Sequence, residues 1–548
     1  MNDTITVGGL IAAYLAAQKV ARVYGVISIH NMPILDGIHT QGQLRFISAR
    51  GEAGACNMAD ADARVRGGLG ACITSTGTGA GNAAGALIEA YTAGTPMLHL
   101  TGQIESSYLD QELGFIHEAK DQLGMLASAG KACLRIHRAE HTLAVLQEAT
   151  RLALTPPCGP VSIEVAIDIQ KQLIARPPHI PRYTPTPLAP CAADIDYLKA
   201  ALKAAQRPLL WLGGGARAAS DAATALADLG IGIITSTQGR GVVREDHPLV
   251  VGAFNVQKAT QALYQEADLL IVVGSHLRSN ETLSYKLALP HQRIRIDAHA
   301  LANGRAYPNE HFICADAALT LNALAHELDL AIDPDWANKI KMTRAAAEAQ
   351  VDQGLGAYVA LKNSLKNLLA QRPDAPAWVR DITLSNTMWG NRSLPLTHSR
   401  QGVHALGGGI GQGLAMGIGA ALANHAHGGK ALALIGDGGL QLNLGELACA
   451  VQEQANLMLL VMNDGGYGVI KNIQDVDYGG RHCYVDLFTP HFATLCAAMG
   501  IKHFLLRSPA DTEAVLGEAL AMHTAVMVEV DMHAWGPFTD KFAGPARK

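Results

Sequence analysis

The sequence predicts an α/β protein of three doubly wound parallel-sheet domains. Three observations carry that expectation. Nearly half of the residues are apolar (49%), only 5% are aromatic and 56 are glycine, a balance that suits small-residue packing and tight strand-to-helix corners. Apolar runs of strand length stop repeatedly at glycine-rich turns that lead into helical stretches, as at 208–212 before Gly213, 431–435 before Gly436 and 457–461 before Asn463. Proline-rich breaks then divide the chain into pieces of ordinary domain size.

The breaks come in order along the chain. Six prolines from Pro177 to Pro190 mark an extended linker. A second break is expected over 345–372, after the alanine-rich helix around Ala345 and before Pro373 and Pro376. The expected domains are therefore 1–180, 190–345 and 360–548. The first and last each finish on a β-rich run, 159–165 and 525–530, as if one architecture were used twice. In the middle domain the strand 208–212 runs into Gly213-Gly214-Gly215-Ala216-Arg217-Ala218, a weak dinucleotide fingerprint. No acidic residue closes the next strand, so a scaffold without a nucleotide is the favoured reading there and a bound flavin or other nucleotide the alternative.

Gross properties exclude several classes. A formal charge of -5 over 548 residues offers no basic footprint for nucleic acid. No run is long and apolar enough to cross a bilayer. Residues 1–7 lack the basic and apolar regions of a signal peptide, so a cytoplasmic location is expected. Nine cysteines scattered without metal spacing suit reduced thiols.

The most informative segments are Gly436-Asp437-Gly438-Gly439 and Asn463-Asp464-Gly465-Gly466-Tyr467. Both follow apolar runs, so Asp437 and Asp464 are expected just past the C-terminal ends of strands, where open α/β sheets hold ligands. Two oxygen side chains there suit a hard cation completed by phosphate oxygens, and the glycines let backbone amides close around an anion. A bare Gly-Asp-Gly is an ordinary turn. Here Asp464 follows Asp437 by 27 positions, with a strand, a helix and a strand between. That arrangement resembles the diphosphate motif of thiamine diphosphate enzymes, the superfamily of acetolactate synthases, benzoylformate decarboxylases and benzaldehyde lyase, and the resemblance covers essentially the whole chain.

The resemblance implies a pyrimidine-binding first domain, a central Rossmann-like domain and a diphosphate-binding last domain, with thiamine diphosphate and magnesium as cofactors. The metal ligands it implies are Asp437, Asp464 and the main-chain carbonyl of Gly466, with Gly436, Gly438, Gly439, Tyr467, Gly468 and Val469 beside the cofactor. The family usually has Asn where Asp464 stands. Gly51-Glu52-Ala53-Gly54-Ala55 looks like the family helix whose glutamate bonds the pyrimidine, and burial of Glu52 among small residues would raise its pKa. The run 407–413 resembles the pyrimidine cradle, with the Gly408 carbonyl as acceptor and Ile410 as the wedge under the cofactor. The family site lies between two subunits, so the resemblance implies a homodimer at minimum and a homotetramer as the expected assembly.

The loop 25–33 resembles the substrate loop of the family. His30 stands where benzaldehyde lyase carries a histidine, and is the candidate for moving protons on the substrate. Ile29 replaces the polar residue of the decarboxylases, and Ser75 stands where benzoylformate decarboxylases carry a catalytic His. His117 and Glu118 fall where related lyases place polar active-site groups. The arginine and tryptophan that serve acetolactate synthases correspond to Asn280 and Ile473. Together these imply an enzyme that cleaves or forms a carbon-carbon bond beside a carbonyl, with decarboxylation of a 2-oxo acid leading. Acyloin or aldehyde chemistry as a lyase or carboligase, or acetolactate synthase-like transfer, is the alternative. A coenzyme A substrate and a non-catalytic flavin- or nucleotide-binding homologue are remoter ones.

Overall fold

The computed structural model describes residues 3–325, 328–424 and 428–542. Three six-stranded sheets, parallel throughout, form its frame. From edge to edge the first contains Arg45–Ser48, Arg22–Gly25, Gly70–Thr74, Met97–Gln103, Pro160–Ala166 and Ala132–Ile136. The last contains Gly402–His404, Ala377–Arg380, Ala431–Gly436, Leu457–Asn463, Val526–Asp531 and Lys502–Leu506. Within each sheet the strands run 2-1-3-4-6-5 in chain order, so one topology is used twice. The middle sheet, with Pro208–Leu212 as its first strand, runs 3-2-1-4-5-6, the doubly wound order of dinucleotide-binding sheets.

This topology positions the site. In both outer sheets the order reverses between the first and third strands, and the crevice beyond their carboxyl ends is where such sheets receive ligands. In the first sheet that crevice receives the loops carrying His30 and Gly77, and in the last sheet those carrying Asp381 and Asp437. The strands Ala431–Gly436 and Leu457–Asn463 are buried along nearly their whole length, because helices cover both faces of a parallel sheet.

The two outer domains also pack on each other. Helix Gly413–Ala423 lies against helix Glu52–Arg66. Their backbones approach so closely that a β-carbon on Gly419 would stand 2.2 Å from the Met58 carbonyl oxygen. Arg64, buried beside Asp60 and Glu89, donates across this junction to the His404 carbonyl at 2.7 Å.

One expectation changes. The stretch expected as a break over 345–372 is largely helical: Trp336–Leu355 runs straight through residue 345 to Gly356, and Val359–Ala370 follows. Its alanines dilute the apolar pattern, yet Ile340, Ala347, Val351 and Leu355 are buried at helical spacing in one core cluster with Trp336. In the middle domain, the glycine loop is filled by neighbouring backbone. A β-carbon on Gly213 would meet the Gly274 carbonyl oxygen at 2.1 Å, and the Gly215 amide donates to that oxygen at 3.0 Å. A cavity of about 580 Å³ beside this loop is lined by Arg217, Arg278, Arg400 and Asp297. Among the described residues, no helix is long and apolar enough to cross a membrane.

Candidate active site

Asp437 and Asp464 leave adjacent parallel strands paired through Gly436 and Met462, so the register brings both to one rim. Asp437 is fully buried. One of its oxygens accepts from the Asp464 amide at 3.3 Å and the other from the Thr489 hydroxyl at 3.0 Å. Burial first, and then the neighbouring Asp437 charge, push the Asp464 carboxyl up to about 7. Lys471 acts in the opposite sense but is paired with Asp486 at 2.7 Å. Such a carboxylate pair is the environment that a hard divalent cation relieves.

The surrounding glycines are required by close approach. A β-carbon on Gly438 would lie 2.9 Å from the Tyr467 ring and 3.1 Å from the Gly466 carbonyl oxygen, and one on Gly468 would lie 2.0 Å from an Asp464 carboxylate oxygen. Gly436, Gly439 and Val469 border the same two turns, since Gly439 lies in helix Asp437–Leu442 and Val469 in helix Gly468–Asp477. The donor set thus fits magnesium with a diphosphate.

Asp381 joins this rim without a sequence signature beyond its place after the strand Ala377–Arg380. Its carboxylate accepts from the amides of Ile382 at 2.7 Å, Gly411 at 3.0 Å and Gly413 at 3.1 Å. Burial pushes it up to about 6 against those bonds. Glu89 anchors the other end of the loop, accepting from the amides of Leu406 at 2.6 Å and Gly407 at 2.5 Å. Between these two anchors Gly408 takes a φ of 86° and Ile410 is 38% exposed, so a polar-backed loop presents an apolar tip.

Glu52 opens its helix and accepts from Asn82 at 3.2 Å. It is half-buried in the chain where the sequence suggested full burial. The side chain that the last domain of the same chain bonds to this helix start is Glu446, which accepts from the amides of Arg50 and Gly51, each at 3.0 Å.

His30 and His117 meet. His30 lies in the loop after Arg22–Gly25, which Asn31 ties by accepting from the Ser28 amide and donating to the Val26 carbonyl, both at 2.9 Å. The ring centroids of the two histidines are 5.1 Å apart in a T-shaped contact. His30 is buried, and its Nδ1 has no hydrogen-bond partner among the described residues. Burial, and secondarily His117, lower its pKa below the ordinary histidine value. His117 sits in an exposed loop with a φ of 70°. Glu118 accepts from the Phe115 amide at 3.0 Å and so closes its own turn.

Residues 5–125 match the N-terminal TPP binding domain of thiamine pyrophosphate enzymes, 195–324 the central domain and 385–530 the C-terminal TPP binding domain. The chain belongs to the thiamine pyrophosphate enzyme family. Within the family it is 30% identical over 476 residues to a probable 2-ketoarginine decarboxylase of Pseudomonas aeruginosa, covering 86% of this chain and 84% of that protein. It is 26% identical to the acetolactate synthase isozyme 1 large subunit of Escherichia coli over 96% of this chain and 93% of that one. The mitochondrial acetolactate synthase catalytic subunit of Saccharomyces cerevisiae is 24% identical over 98% of this chain and 82% of its own length. As a thiamine pyrophosphate enzyme, the chain has Asp437 and Asp464 in the C-terminal TPP binding domain and its histidine pair in the N-terminal one.

Proposed function

We propose that this enzyme is a thiamine diphosphate- and magnesium-dependent lyase that decarboxylates a 2-oxo acid. The observation that supports it most is the convergence of Asp437, Asp464 and the Gly466 carbonyl beside glycine-lined turns. These three would hold magnesium, and Gly436, Gly438, Gly439, Tyr467, Gly468 and Val469 would border the diphosphate. Gly408 and Ile410 would carry the cofactor rings, and Glu52 would hold a proton at the pyrimidine. When bound, the cofactor supplies an electron sink for the bond beside a carbonyl. His30, buried with its pKa lowered by that burial, would exchange a proton with the substrate, with His117 beside it as the second proton carrier and Glu118 as the residue shaping that turn.

The same pocket supports acyloin cleavage, carboligation or acetolactate synthase-like transfer as its second outcome, because the histidine pair governs which carbonyl product leaves. The domains 1–180, 190–345 and 360–548 would serve pyrimidine binding, the central scaffold and diphosphate binding, in a cytoplasmic homodimer or homotetramer.

The test incubates purified protein with thiamine diphosphate, magnesium and a panel of pyruvate, benzoylformate, 2-ketoarginine and acyloins, with carbon dioxide and carbonyl products followed by NMR. Cofactor-dependent carbon dioxide with an aldehyde is the expected result. A hydroxyketone product, or acyloin cleavage without carbon dioxide, moves the assignment to the second outcome. Absence of cofactor binding refutes both.

A further inference from the structure

Gln122 opens helix Gln122–Ala129 and is 2% exposed. Each hydrogen-bonding position of its amide is used. The oxygen accepts from the Thr76 hydroxyl at 3.0 Å and the Gly77 amide at 2.7 Å, while the nitrogen donates to the Gly102 carbonyl at 3.1 Å and to Glu164 at 2.8 Å. Its two backbone partners are the glycines against which the histidines rest. A β-carbon on Gly77 would stand 2.2 Å from the His117 carbonyl oxygen, and one on Gly102 would stand 2.2 Å from the His30 carbonyl oxygen. One buried amide therefore couples the support of His117 to the support of His30.

The network behind it is closed. Glu164 also accepts from Gln103 at 3.1 Å and pairs with Arg135; the Gln103 oxygen accepts from the Ile104 amide at 2.8 Å and lies 2.9 Å from the Thr76 hydroxyl, whose single proton it shares with Gln122. No carboxylate could replace Gln122, because a second acceptor would face Glu164 and the Gly102 carbonyl. An apolar side chain of the same size would leave the Gly77 amide and the Gly102 carbonyl without this partner, each at a desolvation cost of about 1–3 kcal/mol.

We infer that Gln122 is a positioning residue that sets the spacing of His30 and His117. It touches neither ring and acts through the two glycine contacts. The inference rests on the proposed role of the histidine pair in proton transfer on the substrate.

The test compares wild type, Gln122→Leu and Gln122→Glu as cofactor-loaded, full-length protein. Diethyl pyrocarbonate modification, read for each histidine by peptide mass spectrometry, reports the environment of the pair without a substrate. His30 should react several-fold faster in both variants, while thiamine diphosphate affinity and the modification of His247 in the middle domain stay unchanged. Unchanged His30 reactivity overturns the inference, as does a general rise at all histidines, which marks a folding defect.

Kinetics with the fastest substrate of the panel then separate the two layers of the argument. Gln122→Leu should lower kcat by about 100-fold, the scale of a small misplacement of catalytic groups. Added to the His30→Ala, His117→Ala double variant it should cost little more, because a residue acting through the pair then has neither ring left to position. Additive losses overturn the positioning role. If His30→Ala and His117→Ala both leave turnover and product ratio unchanged, the proton-transfer reading fails first. Sensitivity to those variants with indifference to Gln122→Leu overturns only the role of Gln122.

Discussion

Replacing Asp464 by asparagine should stabilise the cofactor-free protein at neutral pH and leave it unchanged in acid. The Asp464 carboxyl moves from an ordinary 3.8 up to about 7, so the folded chain keeps a proton that the unfolded chain has released. The stability contributed by this group is complete below about pH 4 and is lost as pH rises through about 7. For a group fully shielded from water the change would correspond to about 4 kcal/mol. Partial exposure and Lys471 screen it, which leaves about 1–2 kcal/mol for asparagine to recover. Asparagine keeps the shape and an acceptor but removes the charge opposite Asp437. Asp381, pushed up to about 6, and Glu446, also raised by burial, titrate in the same sense in both proteins and cancel in the difference. The assay is urea unfolding in a chelator at a series of pH values from about 4 to about 8, repeated with saturating magnesium and thiamine diphosphate. The gap between wild type and variant should open with rising pH in the chelator and close when the cation neutralises the wild-type pair. A difference that stays flat with pH would refute the conclusion that these carboxylates face each other without adequate compensation.

Gly419→Ala should weaken the junction of the outer domains by about 1–3 kcal/mol, since the added carbon meets the unyielding Met58 backbone; thermal unfolding measures it. Ile410→Ala should lower turnover more than magnesium affinity, and equal loss of both would count against a wedge. Asp381→Asn should present an N–H to the ring of amides from Ile382, Gly411 and Gly413, costing about 1–3 kcal/mol and weakening thiamine diphosphate binding as read by tryptophan fluorescence; unaltered affinity would detach Asp381 from the cradle.

The strands that carry Asp437 and Asp464 were legible because fully covered parallel strands write continuous apolar runs, and the separation of the two aspartates spans one strand-helix-strand unit. Helix Trp336–Leu355 was not legible as a continuous element, because alanine contributes little to periodicity even where its position is buried. Asp381, Glu89 and Glu446 escaped notice for a common reason: each is satisfied by backbone amides, and an amide leaves no trace of its partner in the sequence. Gln122 was equally silent, since its partners come from three separate segments that only the folded sheet assembles. The half-exposure of Glu52 depends on what the rest of the chain brings to its helix, and Glu446 occupies that place.

That last point bears on assembly. In one chain the part of the proposed site with His30 and His117 belongs to the first domain, and the part with Asp437, Asp464, Ile410 and Ile470 belongs to the last. Both halves leave apolar side chains in water: Ile29 is 62% exposed, Ile116 72%, Ile410 38% and Ile470 44%. Scattered exposed residues need no explanation, but here they border the two halves of the proposed site. The junction within the chain is made in part by the Gly419 and Glu446 contacts. A second copy would supply what each half lacks, setting the Glu52 helix of one subunit over Gly408 and Ile410 of the other and covering the apolar rims of both. On that arrangement the proposed chemistry requires the dimer, and dilution below its dissociation constant should abolish turnover while each chain keeps its fold.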